Sequence, residues 1–359
     1  MFAPRARSQI LVSVLAVLLL TPFVYLLGLS VSRVLADSSN LVHLAYTVLP
    51  DLLWQTSVLC AGVAVLTSTM GVLPAWWVSA HEFNGRRWLE WALLLPMAMP
   101  SYVIAYAYTD ALQYSGWISS ALRAWFGSQF RLPEIRSLGG AILVLSFVLY
   151  PYVYIMARAA FMGRSPSLTD AARSMGHGPI SAFLRVGLPV ARPAWVAGLA
   201  LVLMETLAEY GALNYFGVQT FATGIYKTWL NLGDRDSAAL LALMLLVLVL
   251  GLLVAESSAR GDAKYYTQHS RGQKLQRTPL KGFTKLAVVF FSLMPFVLGF
   301  VLPVVFLLVL VAGPIPCWCT GKTACNGHCA LLRWLCGRSR GLGGGRVLSY
   351  VKRQNPVGG

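Results

Sequence analysis

The sequence predicts an all-α polytopic membrane protein, on three observations: long apolar blocks, a shortage of charge, and a one-sided distribution of the charge that remains. Of 359 residues, 57% are hydrophobic and 12% charged, where a soluble domain carries about 25% charged residues. The apolar residues fall in runs of about 20, the length that crosses about 30 Å of hydrocarbon as a helix. Inside lipid every backbone N–H and C=O must be satisfied within its own segment, which makes each run a helix.

Seven spans follow in order, at residues 9–31, 54–80, 89–110, 140–160, 193–218, 237–256 and 286–312. Arg5 and Arg7 precede the first, and Val34-Leu35-Ala36 faintly resembles a signal-peptide cleavage site. The apolar stretch is too long for a signal h-region, so a retained span is expected. A cytoplasmic N-terminus puts residues 81–88, 161–192 and 257–285 inside, with 16 Lys and Arg against six outside. That asymmetry fixes the expected orientation. It also accounts for the net charge of +16, which in a soluble protein would suggest nucleic acid. Here lipid is the expected partner and nucleic acid is not.

Composition divides the chain into four regions: six spans with short loops at 1–256, a basic cytoplasmic linker at 257–285, the seventh span at 286–312, and a tail at 313–359. The tail has no Asp or Glu, ten Gly and five of the six Cys. Cys317, Cys319, Cys325, His328 and Cys329 are zinc-ligand types, but their spacing matches no common zinc pattern. Gly321-Lys322-Thr323 resembles the end of a P-loop, yet Pro316 stands where its first glycine belongs. No metal site and no cofactor are assigned. The tail reads as translation in a shifted frame, not as an evolved, folded sequence.

The loop between spans four and five, residues 165–190, is the most informative stretch. Ser167 and Asp170 form an acidic variant of a capping box. A helix of about two turns through Ala171, Ala172 and Arg173 follows, and Gly176 is placed to end it. Gly178 and Pro179 open a second short helix that carries Ile180, Phe183, Leu184 and Val186 and stops near Gly187 and Pro189. The spacing Asp170-Ala171-Ala172, three residues, Gly176, nine residues, Val186-Gly187-Leu188-Pro189 resembles the coupling-loop signature of bacterial ABC importer permeases. That form is Glu-Ala-Ala, three residues, Gly, nine residues, Ile-x-Leu-Pro. The departures are Asp for Glu and Val for Ile.

The resemblance implies a six-helix ABC importer permease half, here with one additional transmembrane helix, in a bacterial inner membrane. It implies that Asp170, Ala171, Ala172, Gly176, Val186, Leu188 and Pro189 couple to a separate ATP-binding subunit by a helix-in-groove contact. It also implies a periplasmic substrate-binding protein as partner, and no enzymatic activity in the chain itself. The five histidines, at 43, 81, 177, 269 and 328, are scattered, which argues against a membrane enzyme. His177 reads as a solvated loop residue and Cys60 as a small core hydrophobe.

Two stretches, LLLPMAMPSYVIAYAYTDALQYSGW in span three and METLAEYGALNYFGVQTFATGIYKTW in span five, resemble ferric-iron permeases; thiamine and polyamine permeases share the architecture. Glu205 and Glu209 at i, i+4 spacing are expected on one helix face. Carboxylates at membrane depth face an aqueous path or are paired and protonated, and both readings stay open. Asn214 and Tyr106 join them as candidate path residues. Tyr102, Tyr108, Tyr150, Tyr152 and Tyr154 read either as path lining or as interfacial anchors. Pro96, Pro100 and Pro151 are expected to kink or break their helices.

Ferric-iron permeases of this type are commonly fused pairs of homologous halves. This chain shows one half and what resembles the first span of a second, so either a second permease half or a homodimer is expected to complete the path. A fused permease cut short is the expectation the sequence supports, with a non-transporting truncated product as the alternative of another class.

Overall fold

The computed structural model describes residues 44–127, 129–163, 181, 183–260, 278–280 and 282–312, with eight isolated positions between 14 and 32. The chain divides into two units, Met1–Val309 and Leu310–Gly359. Of the second, only residues 310–312 are described. Most of the first span at 9–31, residues 164–180 and 182 between spans four and five, among them His177, and the tail from 313 lie outside the described residues.

The described elements are almost all helical. A π-helical turn, Leu44–Val48, leads into α1, Leu49–Ala80. Then come α2, Arg86–Ala92, a 3-10 turn at Leu95–Ala98, and α3, Ser101–Leu112. After α4, Trp117–Phe126, comes α5, Leu138–Gly163. A π-helical turn at Phe183–Gly187 opens α6, Leu188–Ala208, followed by α7, Gly211–Phe216, and α8, Phe221–Tyr226. A π-helical turn at Lys227–Asn231 precedes α9, Arg235–Arg260. Last are α10, Gly282–Phe296, a π-helical turn at Val297–Val301, and α11, Leu302–Ala312. Two strands of two residues each, β1 His81–Glu82 and β2 Thr278–Pro279, pair in parallel.

Among the described residues, five helices are long and apolar enough to cross a membrane: Tyr46–Ala80, Leu138–Gly163, Leu188–Ala208, Arg235–Ala259 and Gly282–Leu310. The expected third span is different. It is a pair, Arg86–Ala98 and Ser101–Leu112, bent by 90°. Pro100 causes the bend: a residue before proline is pushed out of the α region, and Met99 is extended at φ −94, ψ 126. Pro151, expected to act likewise, sits inside an unbroken α5.

The core lies between α1, α5 and α6. Tyr150, Tyr154, Phe161, Leu59, Leu145 and Val63 are fully buried there. Tyr150 and Tyr154 are therefore core residues, neither anchors nor path lining. α10 and the turn at Val297–Val301 pack on the same core. A Cβ at Gly299 would lie 2.7 Å from the Phe147 carbonyl oxygen and 3.1 Å from Pro96 Cβ, so glycine is required for that approach. Tyr108 donates to the Leu298 carbonyl at 2.5 Å and packs edge-on against Phe306.

Segments expected on one side of the membrane do gather at one end of the bundle. There β1 pairs β2, and Leu280 N–H donates to the Glu82 carbonyl at 3.2 Å. The guanidinium of Arg86, 6% exposed, bonds Glu90, Glu82 at 3.3 Å and the Val78 carbonyl at 3.3 Å. Arg158 from α5 reaches the other Glu90 oxygen at 3.1 Å. Loop 81–88, the end of α5 and the linker before α10 are thus knitted together.

Candidate functional site: a coupling segment and a pocket at two helix breaks

The described end of the 165–190 loop is anchored by aromatic packing. Phe183 sits 5.1 Å from Trp76 and Phe161 5.3 Å from it, ring centre to ring centre. Gly187 lies against the same indole: a Cβ there would be 2.5 Å from Trp76 Cζ3. The sequence expectation that a second short helix stops near Gly187 and Pro189 is not met. Gly187 is helical at φ −62, ψ −54, and Pro189 falls in the first turn of α6, where no N–H is needed. The turn Phe183–Gly187 therefore runs without a stop into the membrane helix. Leu188 and Pro189 open α6, with no break between the turn and the helix. Asp170, Ala171, Ala172 and Gly176 lie outside the described residues, as does the side chain of Val186.

The expected fifth span, 193–218, is also corrected. It starts at Leu188 and ends at Ala208, and α7 begins after a break. Glu209 is extended at φ −69, ψ 121. Glu205 and Glu209 consequently do not share a helix face, because the helical register ends between them. Glu205 is exposed on α6, within electrostatic reach of Tyr152.

Glu209 instead holds two helix starts. One carboxylate oxygen accepts from Ser101 Oγ–H at 2.8 Å and the other from Ala212 N–H at 2.9 Å. Ser101 is the first residue of α3 and Ala212 the second of α7. Helix N-termini carry unsatisfied N–H groups and partial positive charge, so a carboxylate is the natural group to place there. The break in span three and the break in span five are joined through this one side chain.

Beside the clasp lies a cavity of about 430 Å³, lined by Tyr102, Val103, Tyr106, Gly211, Asn214 and Tyr215. Tyr106 meets Tyr215 edge-on at 6.3 Å. Tyr102 and Tyr106 are 58% and 41% exposed, which makes the cavity an open one. Of the expected path residues, Tyr106 and Asn214 line it, Glu209 bonds Ser101 and Ala212 next to its lining, and Glu205 is not part of that lining. The lining offers phenol hydroxyls and one amide, groups that hydrogen-bond a solute without carrying charge.

The chain matches the family model described as binding-protein-dependent transport system inner membrane component, over residues 67–259. The chain belongs to this family. Relatives of this permease include the molybdenum transport system permease protein ModB of Escherichia coli, 29% identical over 224 residues that cover 59% of this chain and 96% of that one. The Fe(3+)-transport system permease protein FbpB 2 of Haemophilus influenzae is 24% identical over 263 residues, 73% of this chain and 48% of that one. A probable sulfate transport system permease protein cysT of Nephroselmis olivacea is 29% identical over 197 residues, 54% of this chain and 68% of that one. The fold matches a chain of a bacterial alginate ABC transporter in complex with its periplasmic protein, with a TM-score of 0.59 and 17% identity, covering 70% of this chain and 92% of that chain. The permease is thus a multi-pass inner-membrane component built from apolar helices.

Three residues that build the site escaped sequence reading: Trp76, Glu90 and Ser101. The i, i+4 pair Arg86 and Glu90 was a visible signal. The others are set by contacts between segments far apart in the chain.

Proposed function

We propose that this permease is the membrane-spanning subunit of an ATP-driven importer of ferric iron, with a cytoplasmic N-terminus and residues 1–256 as one half of the translocation unit. A periplasmic binding protein delivers the substrate, a second permease half or a second copy completes the path, and residues 165–190 dock in the ATP-binding subunit. The observation that carries this reading is the spacing from Asp170 to Pro189, whose last residues enter α6 against Trp76. A stroke received by the loop would rotate α6 and α1 as a unit, and Glu209 would pass that rotation to both helix breaks. The iron assignment is supported by the resemblance in spans three and five and by the 73% of the chain that aligns with an iron permease.

A second reading, an oxyanion such as molybdate or sulfate, is favoured by the uncharged lining of the cavity. Both oxygens of Glu209 are already engaged, which leaves no carboxylate in the lining to ligate a bare cation. The test supplies the chain, with its ATP-binding subunit and binding protein, to a strain lacking iron and molybdate permeases. ATP-dependent uptake of radiolabelled iron is expected. Uptake of molybdate instead would replace the first reading by the second, and uptake of no solute would overturn both.

A further inference from the structure

A second cavity, about 620 Å³, lies among α3, α4 and the segment before α5, at the end of the bundle opposite the Trp76–Phe161 contact. Its position follows from α5, which starts at Leu138 beside it and delivers Phe161 to the coupling segment at the far end. Three guanidiniums line it, Arg123, Arg131 and Arg136, against one carboxylate, Glu134. Two are held in place. Arg123 lies 4.0 Å over the Tyr114 ring and donates to its carbonyl at 2.7 Å, and Arg136 donates twice to the Tyr215 carbonyl, at 3.1 and 2.8 Å. Arg131 has no hydrogen bond or ion pair among the described residues. Thr109 also lines the cavity. It is 3% exposed, and its hydroxyl has no partner among the described residues. Buried hydroxyls are ordinarily satisfied, so this one points to a missing acceptor.

The rest of the lining selects the kind of anion. Leu112, Leu132 and Ile135 give the cavity apolar walls, which suit an amphiphile better than a hydrated inorganic ion. The neighbouring α4 turns Trp125 and Phe126 outward, 88% and 70% exposed, in a protein that spans a membrane. Aromatic side chains of that kind mark the water–lipid interface. We propose that this cavity binds the phosphodiester headgroup of an anionic phospholipid, with α4 lying in the interface and Arg131 and the Thr109 hydroxyl meeting the phosphate. The inference rests on the chain spanning a membrane and is independent of the transported solute.

The test is native mass spectrometry of the full chain released from detergent, with phosphatidylglycerol, with phosphatidylcholine and with inorganic phosphate. One phosphatidylglycerol should be retained in preference to phosphatidylcholine, and Arg131→Gln together with Thr109→Val should weaken that retention by about fivefold, since the one basic contact removed contributes on the order of 1 kcal/mol. Inorganic phosphate should not compete. Equal retention of both lipids, or retention unchanged in the double variant, would overturn the proposal. Displacement by inorganic phosphate would assign the cavity to a free oxyanion instead. Because the double variant could be unstable, a spin label at Phe126→Cys, in a chain whose native cysteines are replaced by serine, gives a separate readout. In vesicles of phosphatidylglycerol and phosphatidylcholine it should be accessible to oxygen and shielded from a water-soluble nickel complex, and the reverse result would count against the placement of α4.

Discussion

Replacing Glu209 by alanine removes the acceptor for both Ser101 Oγ–H and Ala212 N–H. Hydrogen bonds to a charged group contribute about 1.5–3 kcal/mol in soluble proteins, whereas side-chain bonds inside membrane bundles average about 0.6 and reach about 1.7 kcal/mol. Two bonds of the second kind, with the helix-end electrostatics they satisfy, place the loss at about 2 kcal/mol. Glu209→Gln keeps one acceptor oxygen and should lose about half of that. The discriminating experiment is a double-mutant cycle with Ser101→Ala, read by denaturant unfolding in detergent micelles. The two side chains are 108 residues apart in sequence, so non-additivity of about 1 kcal/mol reports the direct bond. Additive effects, or a Glu209→Ala variant as stable as the parent, would refute the clasp and return Glu209 to the role of a free carboxylate in the path.

Three other outcomes follow from the same geometry. Gly187→Ala forces a methyl group into the Trp76 ring at 2.5 Å and should cost about 1–3 kcal/mol by overpacking, with recovery when Trp76→Leu makes room; a thermal melt of each variant decides it. Glu90→Gln leaves the buried Arg86 and the half-buried Arg158 without their shared counter-charge and should cost about 3 kcal/mol. Glu82→Gln, at a side chain 52% exposed, should cost under about 1 kcal/mol, and equal losses on denaturant unfolding would contradict that ranking. Asp234 caps α9 by accepting from Ser237 N–H at 3.0 Å, and its bonds to Ser237 hold the carboxyl below the usual range. A depressed value means that the stabilisation is complete above the unfolded-state value of about 4 and fades as pH falls through the lower folded one. Asp234→Ala should therefore cost about 1 kcal/mol at neutral pH, and the gap between parent and variant should close in acid.

Hydrophobic runs made most of the long helices legible in the sequence. Spans two, four, six and seven were placed to within a few residues except where a helix runs on past the apolar block, as α1 does from Leu49. What run length cannot report is a break inside an apolar stretch. Pro100 was a visible signal, and the 90° bend confirms it. Glu209 carried no such signal, since its side chain is held by Ser101 from a distant segment, and helical spacing placed it on a face it does not occupy. Pro151 shows the converse: a strong local breaker overridden by packing in the core. Gly187 reads as a helix stop in sequence, but in the fold it is a close-approach glycine, required by the Trp76 ring.

The central claim, that residues 165–190 take up the stroke of a separate ATP-binding subunit, is tested most directly by affinity purification of the tagged full chain from cells producing that subunit. The account predicts that the subunit co-purifies with the parent chain and is lost from Gly176→Asp, while the variant still reaches the membrane in normal amount. Retention of the subunit by Gly176→Asp, or its absence from the parent complex, would contradict the account.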